Sequence, residues 1–223
     1  MAHFERTFAI TENTTVLDVG GSPLIWQFSS RHPKLTFLNL PPAINDGLGE
    51  ATLVGGDGRQ LPFRDGAFDI AFSNSTIEHV GSLEDQRSFA NEVARVGKSY
   101  WVQTPNRHFP FEMHVMLPFV HFLPPIWQRR VVTRFTGWEL LVPHTKDVRR
   151  DYLAHFLTDL RLLDATELRA LFPQARIKRE RFLGLSKALI AFVKFEQDQP
   201  VAGGEHHQAS LERGKVPRVP PSR

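Results

Sequence analysis

Apolar positions along the chain fall into short runs separated by polar, glycine- and proline-bearing breaks. Runs at residues 15–19, 35–40, 51–54, 68–73, 99–103, 175–182 and 187–193 have the length and β-branched content of strands. Gly20-Gly21 ends the first, Pro41-Pro42 the second and Gly55-Gly56-Asp57-Gly58 the third, and Gly184 separates the last pair. Helical spacing appears between the fourth and fifth runs. There Ser82 and Asp85 resemble a capping box, Phe89, Val93 and Val96 share one face, and Gly97 supplies a stop. A second helix is predicted from Asp164, with Glu167 three residues on, Leu168, Leu171 and Phe172 inward, and Pro173 at its end. Strands alternating with helices and closing on a strand pair predict an α/β fold. Its seven-stranded sheet should be mostly parallel with an antiparallel last strand, so ligands should sit beyond the strands' carboxyl ends.

Composition narrows this picture. With 223 residues and 41% hydrophobic content, one domain over 1–196 can bury its own core. Residues 197–223 are polar, carry Pro and Gly without periodicity, and read as a disordered basic tail. Residues 104–150 follow the fifth strand and read as a lid or acceptor insertion. There are no cysteines, which excludes disulfides, thiolate metal sites and cysteine nucleophiles. The net charge is +3, of which the tail from Pro200 holds +2 (Arg213, Lys215, Arg218 and Arg223 against Glu205 and Glu212). A body near neutrality argues against a nucleic-acid partner. The start, Met-Ala-His-Phe-Glu-Arg, lacks the basic and apolar regions of an export signal, so a cytoplasmic location is expected.

Each early strand ends in chemistry. Asp18-Val19-Gly20-Gly21-Ser22 closes the first, where glycines let a ligand approach the backbone. Ser22 and Ile25 stand where a dinucleotide fingerprint needs glycine, and no phosphate loop of the G-K-[ST] type is present. Asn39 can meet a ribose hydroxyl and Asp57 an exocyclic amine, while Asn74, Glu78 and His79 follow strand four. Taken singly, Asp18 and Asn74 also read as caps and Asp57 as a turn residue.

Order and spacing lend these residues a common meaning. TVLDVGGSP, then GDGRQLPFRDGAFDIAFSNSTIEHV, then ARVGKSYWVQTPN resembles the class I S-adenosylmethionine-dependent methyltransferases, and within them the methyltransferase type 11 domain family. The likeness runs from about Thr14 to Asn106 and implies a Rossmann-like, doubly wound fold with S-adenosylmethionine as cofactor. It implies that Asp18 and Gly20, with Gly21 and Ser22, lie at the methionine part of the cofactor. Asn39 would meet the ribose, Asp57 with Gly58 the adenine, and Asn74 the methionine end. Glu78 and His79 match a pair at the entrance to the acceptor pocket. Two departures stand out: Ser22 replaces a glycine, and Asn39 replaces an acidic residue, weakening one charge-assisted contact. They keep open a binder of the same fold without turnover.

Methyl transfer from a sulfonium is an in-line displacement in which alignment contributes roughly 7–11 kcal/mol. A base is needed when the acceptor is a hydroxyl, and His79 is the candidate, its alternative being an anchor for the cofactor's carboxylate. Glu112 and His114 lie in a TPN…E-x-H…LPF run also found in members of this family and, with Glu78, are expected to line the acceptor pocket. His108, Glu112, His114 and His121 lack a recognised ligand spacing, so no metal is expected. Phe119, Phe122, Leu123, Ile126 and Trp127 beside Arg129, Arg130 and Arg134 suit either a packed lid or peripheral membrane contact through about 115–134. The expected acceptor is therefore a small or lipid- or sugar-linked molecule, methylated at oxygen. Amino-adenine chemistry is disfavoured because Asn74-Ser75-Thr76-Ile77 replaces the N-P-P-Y type of run.

Overall fold

All seven predicted strands join one sheet in a computed structural model that describes residues 1–41, 51–137 and 160–195. The large-sheet strands are β1 (Thr15–Val19), β2 (Lys34–Asn39), β3 (Thr52–Gly55), β4 (Phe68–Asn74), β5 (Gly97–Pro105), β8 (Arg176–Phe182) and β9 (Leu185–Val193). Their order is β3-β2-β1-β4-β5-β9-β8. The first five are parallel, and β9 runs antiparallel to both β5 and β8. Strand order reverses between β1 and β4, and such a switch point opens a crevice at the carboxyl ends. Pairing of Asp18 with both Phe37 and Phe72, of Asn39 with Gly55 and of Asn74 with Gln103 brings the predicted site segments to that edge.

The alternation of side chains along each strand sorts the core into two layers. Leu17, Val19, Leu38, Ala71 and Val102 face helix α3 (Leu83–Val96) and helix α5 (Ala165–Leu171). Val16, Phe37, Ile70, Phe72 and Trp101 face the other way, onto helix α1 (Ala2–Phe8) and the single turn α2 (Pro23–Trp26). The sequence reading did not find α1. Its holding residue is Phe4, 2% exposed, whose ring packs at 4.8 Å from Phe72 and 5.7 Å from Trp101. Burying such a ring contributes about 1.5–3 kcal/mol, which a seven-residue helix needs because so short a segment is marginal alone.

Both capping boxes form. Ser82 accepts from the Asp85 N–H while the Asp85 side chain accepts from Ser82, and Asp164 and Glu167 do the same for α5. Gly97 stops α3, though not through a left-handed cap. Its backbone is extended and opens β5 directly, where a Cβ would meet Ser99 O at 2.5 Å and the Ala71 Cβ at 2.7 Å.

After β5 the chain leaves the sheet. A hairpin of β6 (Phe111–Glu112) and β7 (Leu117–Pro118), followed by α4 (Pro125–Arg134), gathers Val115, Leu117, Val120 and Val132 into a small core of its own. Phe119, Phe122, Ile126 and Trp127 are exposed, and the Arg130 guanidinium sits 5.1 Å from the Trp127 ring centroid. The rest of the expected insertion, 138–150, and the expected tail lie outside the described residues. No described helix is long and apolar enough to cross a membrane.

Candidate active site

The crevice at the switch point is a cavity of about 600 Å³. Gly20, Asn39, Asp57, Thr76, His79 and Phe89 are among its walls, supplied by the ends of β1 to β4 and by α3. Its entrance to the β1 turn is made by backbone rather than by side chains. Gly20 takes a left-handed φ of 76°, its N–H donates to Leu38 O at 2.8 Å, and the Thr76 hydroxyl donates to Val19 O at 3.1 Å. Gly21 lies so close over Asp18 that a Cβ would stand 1.9 Å from Oδ2. Ser22 is the extended N-cap of α2, without a side-chain cap bond.

Asp18 itself is wholly buried beneath this turn. Its Oδ2 accepts from the Trp26 indole at 2.7 Å, while Oδ1 has no hydrogen-bond partner among the described residues. Burial pushes the carboxyl up to about 7, against the opposing effect of the Trp26 bond. An orphaned buried oxygen next to a bare glycine turn fits a ligand carrying positive charge, as the amino acid end of S-adenosylmethionine does.

The remaining predicted cofactor residues differ in what they offer. Asn39 donates through Nδ2 to Gly21 O at 3.0 Å, tying the β2 end to the glycine turn. A carboxylate at this position has no hydrogen to donate, which gives the departure from an acidic residue a structural reason. Asp57 is engaged by Arg59, whose Nη2 lies 2.6 Å from Oδ2, and Arg59 reaches Asp85 at 2.9 Å with Nη1. The Arg59 hydrogen bond is the main cause that holds the Asp57 carboxyl below its ordinary value. Sequence reasoning missed Arg59, although its place two residues after Asp57 was a visible signal. Gly58 lines the same cavity. Asn74 does not: it lines a second cavity of about 280 Å³ on the α1 side of the sheet, with His3, Trp101 and Gln103.

Glu78, His79, Glu112 and His114 come together from two distant segments. A short 3₁₀ turn, Ile77–His79, carries the first two, and the β6–β7 hairpin carries the others. His79 Nε2 is 3.1 Å from His114 Nε2, and His114 Nδ1 is 2.6 Å from Glu112 Oε1. Glu112 Oε2 accepts the Val115 N–H at 2.8 Å, so this carboxylate is buried and held on both oxygens. Glu78 is also buried; its Oε2 accepts from the Thr104 hydroxyl at 2.9 Å. Burial pushes Glu78 up to about 7. At His114 burial acts downward, and the Glu112 hydrogen bond with the charges of Glu112 and Glu78 outweighs it, leaving the imidazole above its ordinary value. His108 and His121 stand apart from this group: His121 Nε2 is 3.0 Å from Arg107 O, and His108 approaches Asp164 at 3.9 Å.

Comparison with known proteins agrees with this geometry. Residues 39–100 match the model of a family described as "Methyltransferase domain". A Mycobacterium sp. (strain KMS) protein named "Uncharacterized methyltransferase" is 35% identical over 98 residues, covering 40% of this chain and 38% of that protein. A Rhodobacter sphaeroides structure carried under the name of Zn-dependent alcohol dehydrogenases superposes with a TM-score of 0.56 at 14% identity, over 82% of this chain and 84% of its own. PigF, solved with SAH, gives a TM-score of 0.50 at 17% identity, over 87% and 60%. The two structural likenesses speak to the fold. Residues 39–100, which carry Asn39, Asp57, Thr76, His79 and Phe89 of the cavity wall, are thus similar to a methyltransferase domain, within a sheet that is Rossmann-like and mostly parallel. The matched stretch is 38% of the mycobacterial relative's length.

Proposed function

We propose that the protein transfers a methyl group from S-adenosylmethionine to a hydroxyl of a small-molecule, lipid-linked or sugar-linked acceptor, with His79 taking the hydroxyl proton. The observation that carries this reading is the place of His79. It lines the same cavity as Gly20, Asn39 and Asp57, and it is backed by His114 and Glu112. S-adenosylmethionine supplies the methyl carbon, which passes to the acceptor oxygen as its bond to sulfur breaks and S-adenosylhomocysteine departs.

The chain's own residues then divide the work. Asp18, Gly20, Gly21 and Ser22 serve the methionine end, Asn39 the ribose, and Asp57 with Gly58 the adenine, while Asn74, which faces the second cavity, is left without a part in cofactor binding. His79 accepts the acceptor's proton, and the carboxylate of Glu112, acting through His114, favours the imidazolium that results. Glu78, Glu112 and His114 form the acceptor side of the site. The exposed apolar and basic surface at Phe119, Phe122, Ile126, Trp127 and Arg130 supports a lipid-linked acceptor presented at a membrane surface.

The test is calorimetric titration of the full chain with S-adenosylmethionine, followed by turnover on a panel of hydroxyl acceptors. Saturable binding is expected, with His79→Ala lowering kcat by about 10²–10⁴ while cofactor affinity changes little. Unchanged turnover in His79→Ala would remove His79 from the base role, and a folded protein that does not bind the cofactor would end the reading. A second reading, a binder of the same fold without turnover, is supported by Ser22 and Asn39 standing where the resembled family has a glycine and an acidic residue. Cofactor binding with no methyl transfer to any acceptor would select it.

A further inference from the structure

Two imidazoles and one carboxylate converge beside the cavity. One ligand atom each from Glu78, His79 and His114 lie within 4.8 Å of one another. The two rings stand nearly perpendicular, with interplanar angle 85° and centroids 4.8 Å apart. Glu112 takes the Nδ1 side of His114, at 2.6 Å, which turns the lone pair of its Nε2 toward the Nε2 of His79. A carboxylate behind a histidine in this way is the usual partner of a metal-bound imidazole, because it fixes the tautomer and raises the ligand's basicity.

A hydrogen bond between the two Nε2 atoms answers part of this arrangement. One proton between them accounts for the 3.1 Å separation, yet it leaves Glu78 unexplained. That side chain is 0% exposed, its Oε2 is satisfied by Thr104, and its Oε1 has no hydrogen-bond partner among the described residues. A cation at the meeting point takes a nitrogen lone pair from each imidazole and a carboxylate oxygen of Glu78 together, and so gives this buried acid a charged partner. Two nitrogens each about 2.1 Å from a tetrahedral zinc lie about 3.4 Å apart, within a few tenths of an ångström of the 3.1 Å already present. Imidazole with carboxylate is a borderline donor set suited to zinc-class ions, whereas magnesium and calcium prefer oxygen throughout.

We infer that Glu78, His79 and His114 form a binding site for a divalent transition-metal ion of the zinc class, with Glu112 as the residue that positions His114. Along the sequence His108, Glu112, His114 and His121 show no recognised ligand spacing. The fold instead joins His79 and His114, 35 positions apart, and leaves Glu112 behind the site rather than in it. An ion held here takes the His79 lone pair on which the proposed proton transfer rests, so metal binding and that transfer exclude each other. Metal binding does not itself depend on the methyl-transfer reading, because it is measured without cofactor or acceptor.

The experiment is titration of chelator-treated full chain with Co²⁺, read by visible d–d absorption, and competition of that signal by Zn²⁺ and Mg²⁺. One ion per chain is expected, displaced by Zn²⁺ and left in place by Mg²⁺. His114→Ala and Glu78→Gln should each weaken binding at least 100-fold, and Glu112→Gln about 10–100-fold. Far-UV circular dichroism checks that each variant is folded, and if His114→Ala is not, the Glu112→Gln shape-conserving change decides the matter. No saturable signal in the folded wild type would overturn the site. So would affinity that survives in the folded variants, which would mark adventitious binding at other histidines such as the His206-His207 pair of the sequence.

Discussion

Among the described residues, Asp18 is a group whose protonation depends directly on the fold. It is fully buried, its described partner is the Trp26 indole, and burial lifts it from the ordinary 3.8 to about 7. The folded state therefore binds this proton more tightly than the unfolded chain. Its contribution to stability is full below about pH 3.8 and is lost as pH rises through about 7. A difference of about three pH units at 1.36 kcal/mol each amounts to about 4 kcal/mol. Asp18→Asn keeps the volume and an oxygen acceptor for Trp26 but cannot ionise. Chemical denaturation from about pH 4 to 8 should give similar stabilities for wild type and variant at the acid end. Above pH 7 the variant should be more stable by about 3–4 kcal/mol, equivalent to about 10 °C in Tm. Glu78, also raised to about 7, loses stability in the same window in both proteins, so the difference between them isolates Asp18. Stability curves that run parallel for the two proteins across this range would refute the argument.

Gly21→Ala places a Cβ 1.9 Å from a carboxylate that Trp26 holds in place, so the turn must shift. A loss of about 2–3 kcal/mol by thermal denaturation is expected, together with at least tenfold weaker S-adenosylmethionine binding by calorimetry. Asn39→Asp restores the acidic residue of the resembled family but exchanges the Nδ2–H···O=C bond to Gly21 for an anion facing a carbonyl. It should cost about 1–2 kcal/mol and bring no gain in cofactor affinity, and tighter binding than wild type would disprove the tethering role of Asn39.

What was legible in the sequence was local or periodic. The Ser82–Asp85 and Asp164–Glu167 caps are contacts three residues apart, so chain order alone exposes them. The strands of the sheet could be read because apolar runs broken by Gly-Gly and Pro-Pro leave few other ways to bury both faces. Helix α1 escaped because Phe4 counts for nothing until Phe72 and Trp101 arrive from residues far along the chain. The site divides along the same line. Gly20, Asn39, Asp57 and Gly58 sit at strand ends that the sheet order aligns, and they do share one cavity. The pairing of His79 with His114 needed the β6–β7 hairpin to fold back over the 3₁₀ turn, and no spacing rule anticipates that.

The junction at Gly97 has a mechanical consequence. Helix α3 passes into β5 without a single intervening residue, so no slack exists between them. Phe89 on α3 forms a wall of the cavity, and Thr104 near the end of β5 holds Glu78. Wall and anchor thus belong to one continuous helix–strand piece, and their separation is set by the length of chain between Phe89 and Thr104. The hairpin that carries Glu112 and His114 follows β5 in the chain, so those two residues stand outside this unbroken helix–strand piece and meet its anchored Glu78 from the far side of the site.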